Sequence, residues 1–194
     1  MAMVQNVQLS KNFWLYDYLK SETAERNSEI KNEQFSPSED VISNLIRVNG
    51  LLQRVRDWYG LPIRVSSGYR SPALNAAVGG AKTSQHLTGM AVDFEPLDIN
   101  GREANGCDYK KIATWIFDNI TFDQMIKEYG TSECPSWLHL SSVVDKNRKQ
   151  GLEIGEHTGK KYIPLNFNNW IVKEPTVSGN PSVYIKILDE SHTR

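Results

Sequence analysis

A chain of 194 residues with a formal net charge of −1 is long enough to bury one sizeable core without staples, and its balanced charge gives no general attraction for nucleic acid or for an anionic membrane surface. No apolar run approaches the roughly 20 residues of a membrane helix, and the start MAMVQNVQLSKNFW lacks the basic patch and apolar region of a secretory signal. No membrane insertion is therefore expected, and synthesis and folding in the cytoplasm are, unless a signal has been trimmed; Cys107 and Cys134 form no CxxC and are expected as free thiols in a reducing compartment.

Residues 9–32 mix the aromatics Phe13, Trp14, Tyr16 and Tyr18 with charges. The segment FWLYDYLKS reads as a short helix laying an aromatic face on the domain, followed by a polar loop through Gln34. A long helix then starts with Ser36 as N-cap, Pro37 at its first position and Glu39 three residues after the cap. From there Val41, Leu45, Val48, Leu52, Val55 and Tyr59 recur at helical spacing as one apolar stripe. Gly60 stops it, with Pro62 beyond. A stripe of this kind faces the core of a domain more often than it forms a seam for a partner helix.

Residues 63–67 alternate apolar and polar as a strand does. Ser71 and Pro72 cap and begin a short helix through Val78, Gly79–Gly80 end it, and the loop 81–85 presents His86. Residues 90–94, MAVDF, read as a buried strand that holds a carboxylate, Asp93, and such a group is costly unless paired or metal-bound. Asp108 is the expected cap of a further helix with Ile112, Trp115, Ile116 and Ile120 inward. Residues 122–129 and 137–143 read as two strands joined by a Gly-Pro-containing loop. Paired as a hairpin with Glu128 opposite Trp137, they set Ile126 opposite His139 and put Glu128 and His139 diagonally on one face; a slip of one residue would separate them. A basic turn, DKNRKQG, precedes LEIGEHTGKKYIPL, which reads as another hairpin.

His86 and Asp93 are seven positions apart with a turn at Gly89 between them, so a loop histidine and a strand carboxylate can close on one ion. Zinc takes nitrogen and oxygen donors tetrahedrally, and a catalytic site uses three protein ligands and leaves the fourth position to water. The third ligand is then His139, in the strand SWLHLSS. Amide hydrolysis at such a centre also calls for a carboxylate beside the metal to move protons. Glu128 is the first choice and Glu133, six residues before His139 in the loop, the second. The competing signatures HExxH, GxSxG and GxxxxGK[ST] are absent, and His157 and His192, in polar surroundings, are read as surface histidines.

The ordered set SGYRS (67–71), LN, GG, SQH (84–86), AVDF (91–94), QxIxE (124–128) and WxHxS (137–141) resembles the zinc D-alanyl-D-alanine carboxypeptidases and the phage L-alanyl-D-glutamate endopeptidases, over roughly residues 8–163. The resemblance implies zinc held by His86, Asp93 and His139, with Glu128 as general base and Arg70 receiving a substrate carboxylate or the developing oxyanion. Ser84 is placed to bond to a ligand or to substrate, and Tyr69 and Trp137 to wall the cleft. It further implies hydrolysis of an amide bond in the peptide stem of peptidoglycan, as a phage endolysin, a virion-borne lysin or a bacterial wall enzyme. Many relatives carry a histidine two positions before the last ligand or a glutamate three before it, where this chain has Trp137 and Ser136. The alternative from another class is a non-catalytic binding or structural module, since the hedgehog signalling domain shares this zinc-site architecture.

The expected fold is therefore α+β: a small central antiparallel sheet with helices packed on one side, hedgehog- or D-Ala-D-Ala-peptidase-like, with a single zinc in a cleft. Residues 1–164 form the expected metallopeptidase domain, made of a helical part (8–60) and a metal-site part (61–164). Residues 165–194 form a C-terminal extension.

Overall fold

The computed structural model describes residues 3–172. The expected aromatic helix is α1 (Leu15–Leu19). The stretch read as a polar loop instead holds two further short helices, α2 (Glu22–Glu25) and α3 (Ser28–Gln34). Each is launched by a side-chain cap, the Ser21 hydroxyl accepting from Ala24 N–H and the Asn27 carbonyl from Glu29 and Ile30 N–H. Helices of one or two turns carry too few residues to show a 3.6 periodicity, so the caps were their only local signal.

The long helix is α4 (Glu39–Tyr59), and its N-cap is Ser38, not Ser36. Ser38 Oγ accepts from Val41 N–H, whereas the Ser36 hydroxyl turns back to donate to Asn32 O and finishes α3. Gly60 ends α4 in the left-handed conformation, φ 75°. Strand β1 (Ile63–Ser67), helix α5 (Pro72–Ala77, capped by Ser71) and strand β2 (Ala91–Pro96) follow the expected order. Helix α6 (Gly106–Asn119) is capped by Asn105 rather than Asp108, the Asn105 side chain accepting from Cys107 and Asp108 N–H. Ile112, Ile116 and Ile120 are buried, but Trp115 is only half-buried and stacks on the exposed Trp58.

Among the described residues six strands form one sheet in the order β1-β2-β4-β3-β5-β6, with β3 (Gln124–Glu128), β4 (Trp137–Ser141), β5 (Gln150–Ile154) and β6 (Ile163–Pro164). Glu128 pairs with Trp137 and Ile126 with His139, the register on which the sequence argument relied. Four pairings are antiparallel, but β3 and β5 run parallel, so the sheet is mixed. β4 returns the chain to the end of the sheet where β3 began, so the basic segment has only to pass the start of β3 for β5 to run alongside it in the same direction.

The two faces of the sheet do different work. Val92, Phe94, Leu138, Leu140 and Met125 point into one apolar core with Leu45, Val48, Leu52 and Val55 of α4 and Ile112, Ala113 and Ile116 of α6. The other face carries Asp93, His139 and Ile126 in one cross-strand row, with Trp137 and Glu128 one step along. The segment after residue 164 opens by joining the core side: Leu165 and Phe167 pack there, and Trp170 is 1% exposed. Trp170 covers the ammonium of the buried Lys127, 4.7 Å from the ring centroid, while Lys127 Nζ donates to Ser132 O and pairs with Glu153. The remainder of the expected extension, 173–194, lies outside the described residues.

Gly89 is the residue on which the approach of β2 depends. Its φ is +70°, and a Cβ there would fall 2.7 Å from the Val41 carbonyl oxygen. Gly89→Ala is expected to destabilise the fold by more than about 1 kcal/mol, since strain and collision add. Urea unfolding monitored by tryptophan fluorescence measures it, and an unchanged midpoint would contradict the account.

Candidate active site

The residues 67–71 loop is held in place before any ligand is considered. Gln34, fully buried, donates through Nε2 to Leu19 O and Tyr69 O and accepts from Ser71 N–H at Oε1. Gly68 lies so close to α1 that a Cβ would fall 2.6 Å from Tyr18 O, and Tyr69 N–H donates to that same oxygen. The carbonyl of Gly68 is thereby aimed at His86 Nδ1, 2.5 Å away. A carbonyl only accepts, so Nδ1 carries the proton and Nε2 presents its lone pair.

His86 belongs to a short 3-10 helix, Gln85–Thr88, capped by Ser84, whose Oγ accepts from His86 N–H. Asn44 of α4 donates to Thr88 O, and Arg70 N–H to His86 O, so this turn is tied on two sides. Gln85 donates to Asp123 Oδ2, and Arg148 grips the same carboxylate through Nε and Nη2. His139 comes from β4 directly opposite Asp93 of β2.

The outcome is a triangle of donors. His86 Nε2 lies 3.2 Å from Asp93 Oδ1 and 3.2 Å from His139 Nδ1, and His139 Nδ1 lies 2.8 Å from Asp93 Oδ1. All three side chains are buried. Burial alone would raise the Asp93 carboxyl, but the facing imidazoles outweigh it and hold the group well below the usual carboxylate range. Its second oxygen, Oδ2, accepts from Arg70 Nη2 at 2.8 Å, and Arg70 Nε donates to Ser67 Oγ. Arg70 therefore pairs with the carboxylate of this triangle, with its side chain still 20% exposed.

Glu128 shares this face. Burial, then the negative charge of Asp93, push its carboxyl upward, against the opposing influence of His139, Trp137 and Arg70. Its Oε2 accepts from Trp137 Nε1 at 2.9 Å. The tryptophan found where relatives carry a histidine thus holds the carboxylate of the neighbouring strand. Glu133, the second choice, has its backbone against the helix side: its carbonyl accepts from Trp170 Nε1 and crowds Gly106.

Among the remaining expected residues, Ser84 works as a cap, and Tyr69 is 8% exposed within the core cluster, so its ring offers substrate little surface. Trp137 stays half-buried at the face, tilted against Tyr129 with centroids 5.2 Å apart. His157 lies beside Glu153, and His192 lies outside the described residues. No motif singles out Gln34, Asp123 or Arg148. The Arg148–Asp123 pair is separated by 25 residues and Gln34 from Ser71 by 37, distances over which no local pattern speaks.

Tetrahedral zinc with bonds of about 2.0–2.1 Å sets its donors about 3.3 Å apart. The observed separations, one carboxylate oxygen, two imidazole nitrogens and the fixed tautomer of His86 all fit that ion. A three-donor centre with a carboxylate alongside is the arrangement of a metal-dependent hydrolase. The chain belongs to the peptidase M15 family: the profile described as Peptidase M15 matches residues 17–141, which include all three donors. It is by that membership a zinc metallopeptidase of a family that acts on peptidoglycan. No curated protein matches the chain.

Asp123 supplies a test of how the His86 turn is held. Its side chain is 1% exposed, and the bonds from Arg148, chiefly, lower its pKa to about 2. A folded pKa below the unfolded value stabilises above pH ~4 and is lost as pH falls toward 2. The stability difference between the native protein and Asp123→Asn should therefore be about 1–2 kcal/mol at neutral pH, discounted for the exposed Arg148 end, and shrink in that window. Denaturant titrations from pH 7 to pH 2 check it, and a difference independent of pH would contradict it.

Proposed function

We propose that this protein hydrolyses an amide bond in the peptide stem of bacterial peptidoglycan, with one zinc held by His86, Asp93 and His139. The observation that carries the reading is the convergence of those three donor atoms at zinc spacing beside a carboxylate, Glu128, whose affinity for protons is raised. Bound there, zinc supplies an acidified water and polarises the scissile carbonyl.

The chain's own groups do the rest. Glu128, one oxygen fixed by the Trp137 N–H, takes the proton from the attacking water with its other oxygen. It then returns that proton to the departing amine nitrogen, completing cleavage of the C–N bond. A carboxyl raised by burial suits both halves of that exchange: it is a stronger base toward the water's proton than an ordinary carboxylate, and it can still pass that proton to the far more basic amine nitrogen. Arg70 compensates Asp93 and turns its exposed N–H groups toward a substrate carboxylate or the oxyanion. Ser84 acts by fixing the His86 turn, and Trp137 by orienting Glu128 and walling the cleft. The order of motifs is that of the short phage-type and bacterial branch, which supports a role as a phage endolysin or virion-associated lysin. Among the described residues no helix is long and apolar enough to cross a membrane.

Metal analysis of the purified protein should find one zinc per chain, and mass analysis of muropeptides should show a stem shortened at one amide bond. Loss of a terminal D-alanine would mark a carboxypeptidase and an internal cut an endopeptidase. Glu128→Gln should remain folded and zinc-loaded while hydrolysis falls about a hundredfold or more. A zinc-loaded native protein that leaves walls of several stem types intact would replace this reading with a non-catalytic binding module.

A further inference from the structure

The hairpin of β5 and β6 brings a residue to the site that no motif singled out. Leu152 pairs with Pro164 and Glu153 with Ile163, and Tyr162 immediately precedes β6, so the chain continued along that line brings it level with Ile154. Ile154 in turn pairs with Glu128. Residues paired across neighbouring strands share a face, so Glu128 and Ile154 lie on one side and Glu153 and Ile163 on the other, and the alternation from Ile163 turns Tyr162 toward the Glu128 side. Tyr162 lies beyond the span matched by the family, which ends at residue 141.

Two further observations support a site there. The charges that act on the Tyr162 phenol, after its own burial, are those of Glu128, Tyr129 and Asp93, with Arg70 opposing. These are groups of the cleft, and they act on the hydroxyl although the residue as a whole is 58% exposed. Next to it, Tyr129 adopts φ 55°, an uncommon conformation for a residue with a side chain, and its ring lies against Trp137, the residue that holds Glu128. A strained residue and an exposed tyrosine thus border the Glu128 side of the metal centre, where strain most often serves a site. Arg70, which follows β1, reaches the centre from the opposite edge of the sheet.

We propose that Tyr162 contacts substrate, its hydroxyl donating a hydrogen bond to the backbone of the stem peptide on the Glu128 side of the metal centre, across from Arg70. The inference rests on the stem-peptide reading of the site and deepens it: the bound peptide lies across the sheet face from the β1 edge to the β6 edge, anchored at both.

Tyr162→Phe removes the hydroxyl and keeps the ring. With a soluble muropeptide carrying a full-length stem, KM should rise roughly two- to tenfold, the worth of one net hydrogen bond, while kcat stays within about twofold. Zinc content and melting temperature should not move. Calorimetric binding of the same muropeptide to Glu128→Gln protein gives a readout independent of turnover, and adding Tyr162→Phe should weaken it by the same factor. Tyr162→Ala, which also removes the ring, should weaken it further. An unchanged KM and Kd in both variants would overturn the proposal, as would a fall in kcat at constant KM or a loss of zinc or stability. A native protein that neither binds nor cuts the muropeptide would instead bring down the stem-hydrolase reading, and this inference with it. Native cleavage with an indifferent Tyr162 would fail this inference alone.

Discussion

A carboxylate that is 2% exposed in the middle of a sheet is tolerable only if its charge is answered on every side. Asp93 meets that demand with the Arg70 guanidinium at Oδ2, while Oδ1 converges with two imidazole nitrogens at the spacing a cation would fill. Much of the surrounding architecture is what brings those partners there. His139 arrives by strand pairing, His86 by a capped turn bent back at Gly89, and Arg70 by a loop pressed against α1. Lose any of these and a buried negative charge is left short of a partner. This is why the site and the packing of the domain cannot be separated.

The division of labour between the faces of the sheet follows from a side-chain period of two. On β2 and β4 the apolar residues Val92, Phe94, Leu138 and Leu140 go to the helices, and the residues between them, Asp93 and His139, go to the metal side. The same alternation delivers Glu128 and Trp137 to that face. There the indole N–H of Trp137 on β4 holds the carboxylate of Glu128 on β3, a contact that the cross-strand pairing of the two residues makes possible.

The turn bearing His86 and the loop bearing Arg70 are short, and neither has a core of its own. Their order is borrowed from elsewhere through polar side chains that reach over long stretches of sequence. Gln34 spans α3 to the Arg70 loop, Asn44 ties α4 to the turn, and Gln85 joins it to the Asp123–Arg148 pair. Each satisfies backbone or charged groups that burial would otherwise leave unpaired.

What the amino-acid sequence alone determined was whatever local spacing encodes. The stripe of α4, the turn at Gly89, the alternation of the strands and the three residues whose donor atoms converge, His86, Asp93 and His139, were legible, because periodicity and motif order depend on near neighbours. The hairpin register, with Glu128 opposite Trp137, is an assumption at that level: alternation argues only against slips of an odd number of residues, and the closed sheet supplies the pairing itself. The two short N-terminal helices, the caps Ser38 and Asn105 and the parallel placement of β5 were not legible, because several residues compete for each local role and long-range packing chooses among them. The same holds for the burial of Tyr69 and Trp170. Those are contacts between segments remote in the chain, and only the closed sheet with its helices in place decides them.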